Sequence, residues 1–183
     1  GDRRGIPVIG VIEPGVQAAA QICRGHVGVI GTEGTIRGGA YTQLLQQHAP
    51  GLQVTSLACP LFVALAEEGW TDGNVAMATA ERYLSTLRDG PDTLILGCTH
   101  YPLLAAVIQA TLPGVNLVDS AQSTAEAVAK VLKSSGLIND EPQRDSQFLV
   151  TDNMQRFIDV GTRFFGEAPH PTELVDLDDK DQA

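Results

Sequence analysis

The sequence predicts an α/β fold: an open parallel sheet flanked by helices. Two observations carry this reading. Short β-branched runs alternate with longer stretches of helical spacing. Thiol, hydroxyl and imidazole side chains fall just after several of the runs, where open parallel sheets form their ligand crevices.

In chain order, the apolar runs 8–12 and 27–30 read as strands, with a helix at 16–23 between them. A helix over 36–47 leads to a strand at 52–57, and helices at 62–68 and 73–87 lead to a strand at 93–96. The next helix, 103–111, shows the logic well. Leu103, Leu104, Val107 and Ile108 share one face, and Pro102 suits the first turn, where a missing N–H costs nothing. A strand at 115–118 closes this block. A helix at 121–134, a strand at 147–150, a helix at 154–165 and a strand at 173–175 complete the chain. The segment 134–146 is rich in Gly, Asn, Asp, Pro and Ser and reads as loop. We expect a change of domain at 119–121. Residues 6–120 form one complete α/β domain, whereas 121–183 hold too little sheet for a two-layer core of their own.

Composition narrows the function classes. The formal charge is −10 with only 12 Lys and Arg, scattered along the chain, which argues against a nucleic-acid surface. Glu173, Asp176, Asp178, Asp179 and Asp181 read as a solvated acidic tail. Cys23, Cys59 and Cys98 are odd in number and widely spaced, so no disulfide framework is expected and a reducing cytoplasm fits. His26, His48, His100 and His170 make no local zinc spacing, and no metal is expected. The longest apolar run, 61–66, is far short of the ~20 residues a bilayer span needs, so no membrane partner is expected. Gly28, Gly31 and Gly34 do not make a dinucleotide fingerprint and read as turn geometry.

Four post-strand loops can converge on one pocket: Gly31-Thr32-Glu33-Gly34-Thr35, Ala58-Cys59-Pro60, Gly97-Cys98-Thr99-His100-Tyr101-Pro102 and Asp119-Ser120. Their groups suit a small carboxylate. Cys98 falls where a strand ends and a helix starts, which favours a thiolate, and His100 could tune or shuttle its proton. Spacing alone leaves two readings open. Cys98 is either a reactive thiol or a small buried apolar residue, with His100 a cap.

The run Gly97-Cys98-Thr99-His100-Tyr101-Pro102-Leu103-Leu104 resembles the second cysteine motif of the glutamate racemases, in the aspartate/glutamate racemase family. Five other segments resemble that family in the same order. They are Val8-Ile9-Gly10-Val11-Ile12-Glu13-Pro14-Gly15, Gly31-Thr32-Glu33-Gly34-Thr35-Ile36, Cys59-Pro60-Leu61-Phe62-Val63 with Glu67-Glu68-Gly69, Val118-Asp119-Ser120, and Val150-Thr151-Asp152 with Phe157 and Phe164. The resemblance implies a flavodoxin- or Rossmann-like sheet and cofactor-independent interconversion of L- and D-glutamate, supplying D-glutamate for peptidoglycan. It also implies a two-thiol mechanism in which one cysteine removes the α-proton and another returns one on the opposite face.

By the same resemblance Cys98 is the second of those thiols, His100 and Glu67 assist it, Thr99 and His100 contact substrate, and Thr32 and Thr35 hold its carboxylate. Glutamate is the implied partner, and a homodimer is compatible with the reading. The family's first cysteine, in an Ala-Cys-Asn-Thr segment, and its N-terminal Asp-Ser-Gly turn have no match here. Residues 121–183 would then complete a first domain whose beginning lies upstream. Cys23, at a helix end, reads as core or surface, and Cys59 as a structural Cys-Pro turn. Alternatives are a racemase of aspartate or a hydantoin and, from another class, a non-catalytic fragment that binds a small acid.

Overall fold

The computed structural model describes residues 2–3, 6–139 and 146–177, which fall into two compact units, Gly1–Ile138 and Asn139–Ala183. In the first, β1 (Asp2–Arg3) pairs antiparallel with β2 (Ile6–Pro7). Then come α1 (Ile12–Ile22), β3 (His26–Gly31), α2 (Glu33–Gly38), α3 (Ala40–His48), β4 (Gln53–Ala58), α4 (Leu61–Glu68) and α5 (Gly73–Leu84). After a 3₁₀ turn at Ser85–Leu87 follow β5 (Thr93–Leu96), a second 3₁₀ turn at Tyr101–Leu104, α6 (Ala105–Thr111), β6 (Asn116–Asp119) and α7 (Ser120–Ser134).

Strands β3 to β6 form one parallel sheet in the order β4-β3-β5-β6. The central strands β3 and β5 are buried on both faces, where successive side chains point to opposite sides. Val27, Val29, Ile95 and Val118 pack with Val16 and Ala19 of α1 and Leu45 of α3. Ile30, Leu94 and Leu96 pack the other way, with Phe62, Ala80, Leu84 and Ile108. The expected α/β class with helices on an open parallel sheet is therefore the observed one.

Two expected elements are corrected. Residues 8–11 form no strand, and α1 begins at Ile12, four residues before the expected start. Pro14 explains this, since proline is tolerated in a first helical turn, where its missing N–H would lack a partner anyway. The sheet thus has four strands rather than five. The expected helix 36–47 is two helices. Thr32 caps α2 three residues earlier than expected, and Gly39, with φ of 68°, ends it in the left-handed region, its N–H bonding to the Ile36 carbonyl.

Asp92 ties together the starts of β3 and β5. Its carboxylate accepts the backbone N–H of Arg24 at 3.2 Å and of His26 at 3.4 Å, and the Thr93 hydroxyl at 2.7 Å. Burial alone would raise its pKa. The hydrogen bonds from Thr93, Arg24, Cys23 and His26 outweigh that effect and hold it at about 2.

Sequence reading places the domain change at 119–121, whereas the compact units divide at 138/139, because α7 packs along α1. In the second unit, β7 (Phe148–Val150) and β8 (Thr172–Leu174) are parallel and joined through α8 (Met154–Phe165). The ring of Phe148 packs on Phe157 and Phe165, with centroids 6.0 and 5.6 Å apart. Of the polar segment 134–146, residues 140–145 lie outside the described residues, as do Asp178, Asp179 and Asp181 of the acidic tail.

Candidate active site

All four strands of the sheet end on one edge. Gly31 is in register with Ala58, and Leu96 with Asp119, so the four post-strand loops begin side by side. From β3 the chain crosses to one side to make β4, and from β5 to the other to make β6. The switch point lies between β3 and β5, the position at which such sheets open a crevice. Thr32 and Cys98 both start there.

Thr32 is the N-cap of α2. Its Oγ1 accepts the N–H of Thr35 at 3.2 Å and lies 3.0 Å from the Thr35 hydroxyl. The two threonines thus present a hydroxyl pair beside the β5 loop. Gly97 makes the crossing from β5 possible. Its N–H bonds the Ile30 carbonyl at 2.8 Å, and a Cβ there would meet that same oxygen at 2.7 Å. Only glycine allows the backbone to come this close.

Cys98, Thr99 and His100 follow. The Cys98 Sγ lies 3.8 Å from Nδ1 of His100, whose Nε2 lies 3.2 Å from Oε1 of Glu67. The Thr99 hydroxyl is 3.5 Å from the same Nδ1. A carboxylate at Nε2 favours the tautomer with its proton there, which leaves Nδ1 as acceptor toward the thiol. All three groups of the series are half-buried. Burial pushes the Cys98 thiol up, while the backbone N–H groups of His100 and Tyr101 and the Thr99 hydroxyl pull the other way. The thiol therefore rests protonated at neutral pH beside an imidazole nitrogen that can accept its proton.

Glu67 reaches this loop because α4 packs against the 3₁₀ turn Tyr101–Leu104. Tyr101 provides the anchor. Its hydroxyl donates to the Cys59 carbonyl at 2.9 Å, and its ring meets Phe62 edge-on, with centroids 5.4 Å apart. The ring is fully buried, so Tyr101 serves as packing as well as tie. The other cysteines are placed differently. Cys59 is fully buried and burial pushes its thiol up to about 12. Cys23 caps the C-terminus of α1, next to Asp92, at the opposite edge of the sheet. Tyr41 was not singled out from the sequence, although its hydroxyl lies 3.4 Å from that of Ser120 and its ring abuts Gly97.

Known proteins share this arrangement of chain. A glutamate racemase of Geobacter metallireducens is 54% identical over 165 residues, which is 88% of this chain and 61% of that protein. One from Syntrophus aciditrophicus is 44% identical over 178 residues, 94% of this chain and 65% of that protein. The crystal structure of glutamate racemase from Francisella tularensis in complex with D-glutamate matches 96% of this chain with a TM-score of 0.89 at 35% identity, and the match covers 66% of that structure's chain. The chain thus spans a little under two thirds of the length of these relatives. The Asp/Glu/Hydantoin racemase model matches residues 2–128, well over half of the chain, and the chain belongs to the Asp/Glu/hydantoin racemase family.

Proposed function

We propose that this chain is the Cys98-bearing part of a glutamate racemase, which interconverts L- and D-glutamate without a cofactor and supplies D-glutamate for peptidoglycan. The series Cys98–His100–Glu67 at the switch point carries the reading. The names of the relatives support the choice of substrate.

When Cys98 acts as base, Nδ1 of His100 takes the Sγ proton and Glu67 offsets the imidazolium charge. The thiolate then removes the α-proton of glutamate, forming S–H and leaving the electron pair on the α-carbon, spread into the carboxylate. A thiol on the opposite face returns a proton to that carbon and inverts it. In the reverse direction Cys98 is the donor. Thr32 and Thr35 hold the substrate carboxylate, and Thr99 and His100 line its other side. Cys59 is too buried and Cys23 at the wrong edge to be the opposing thiol. Neither is assigned that role, and 121–183 are proposed to contribute to a first domain distinct from the one formed by 6–120. Three free, separated cysteines fit a cytoplasmic protein, and a homodimer, checked by sedimentation, belongs to the same reading.

The test joins this chain to the part of the Geobacter relative that it does not match and follows L-glutamate by polarimetry. The fusion should racemise glutamate, Cys98→Ala should abolish inversion, and the 183-residue chain alone should leave L-glutamate unchanged. Full activity with Cys98→Ala would sink the assignment. Binding of glutamate without turnover by the fusion would favour the small-acid binding fragment.

A further inference from the structure

Beneath the Cys98 turn lies a buried polar pair that the chemistry above does not use. Tyr41, in the first turn of α3, is 5% exposed, and Ser120, the first residue of α7, is 8% exposed. Their hydroxyls are 3.4 Å apart, a contact between residues 79 positions apart in the chain. The same tyrosine ring closes on Gly97, where a Cβ would lie 3.1 Å from Cε2 and 3.5 Å from Cζ. One side chain thus bears on the residue before Cys98 and is held at its tip by the start of the helix that follows β6.

We propose that Tyr41 is a positioning residue for Cys98, and that its hydroxyl contact with Ser120 fixes the Gly97–Cys98 turn so that the thiol stays aimed at its hydrogen-bond donors. The inference rests on Cys98 being the reactive thiol. Those donors are the N–H groups of His100 and Tyr101 and the hydroxyl of Thr99, which together counter the effect of burial on Cys98. Their pull depends on direction, so a turn free to rock loses part of it, and the thiolate becomes harder to form. The Tyr41 phenol itself is pushed up by burial and by the nearby Cys98 charge, against the pull of Ser120.

Several other titratable groups bear on the thiol. His100 and Tyr101 belong to its own turn, Glu67 of α4 acts through His100, and Cys59 lies beyond Tyr101. Asp119, at the end of β6, caps α7 through the N–H of Ala121. None of these is altered by removing the Tyr41 hydroxyl.

The pH dependence of Cys98 alkylation by iodoacetamide, read by peptide mass spectrometry on the intact 183-residue chain, tests the proposal. Tyr41→Phe keeps the ring and Ser120→Ala keeps the helix start, so both preserve the packing. Each should raise the Cys98 midpoint by about half a pH unit, which slows alkylation about threefold below the midpoint. The double variant should shift it no further, because both changes remove one and the same contact. Single variants that leave the midpoint where it was, with or without a lower melting temperature, would overturn the proposal and reduce the pair to packing. Shifts that add in the double variant, or that go downward, would overturn it too. Failure of the fusion to racemise glutamate would remove the proposed activity and leave this thiol measurement standing.

Discussion

Replacing Glu67 with glutamine tests the proton path to Cys98 while changing little in shape. The amide keeps an oxygen near Nε2 of His100, at the present 3.2 Å, and loses only the charge. Hydrogen bonds to a charged group contribute about 1.5–3 kcal/mol, against about 1 kcal/mol for neutral pairs. Glu67 and His100 keep 29% and 23% of their side-chain surface in water, so partial screening brings the difference to about 1–1.5 kcal/mol. That amount is lost from the imidazolium that forms when Nδ1 takes the Cys98 proton. The thiolate–imidazolium state should fall about tenfold in population. Iodoacetamide labelling of Cys98 at pH 7.5 in Glu67→Gln should slow about tenfold, with Cys23 labelling unchanged as internal control. A Cys98 rate within twofold of the parent chain, or a faster one, would refute the series as a proton path.

Two further predictions concern the frame around the site. Asp92 is held at about 2, below the usual 3.8, so the unfolded state takes up a proton first as pH falls. Its contribution is complete above about pH 4 and disappears between pH 4 and about 2. Because the group is only half-buried, we expect about 1 kcal/mol after solvent screening. Urea titrations should show Asp92→Asn less stable than the parent chain at pH 6 and the gap closing by pH 2. Tyr101→Phe keeps the edge-on ring contact with Phe62 but leaves the Cys59 carbonyl without its 2.9 Å donor. A loss of about 1–2 kcal/mol is expected in thermal or urea unfolding, and an unchanged midpoint would contradict it.

What the sequence made legible follows from the range of the forces involved. Strands 27–30 and 93–96 and helix 154–165 are set by local pattern, and the structure has them within a residue or two. The run 8–12 misled because branched apolar residues satisfy a strand pattern, while Pro14 had already made helix starting at Ile12 acceptable. The break at Gly39 was missed because the apolar spacing continues across it, whereas the backbone does not. Cys98 and His100 stand two positions apart, so their pairing could be suspected from spacing. Glu67 could not be joined to them without the resemblance, since the packing of α4 on the 3₁₀ turn brings it there. Ser120 stood in a post-strand loop that the sequence marked, but nothing in the sequence pointed to Tyr41 or to their pairing. Each looks ordinary in its own helix, and their meeting depends on tertiary packing, with α3, which follows β3 and α2, and α7, which follows β6, both lying against α1.

The Asp92 clamp and the Cys98 turn stand at opposite ends of the same strands. β3 alone, six residues long, separates the two edges by about 17 Å. At that distance a substitution at one edge leaves hydrogen-bond geometry at the other untouched, and effects on stability and on chemistry should add without coupling. A protein engineer could therefore harden the chain against acid at the Arg24–Asp92 edge while leaving the thiol's reactivity as it is.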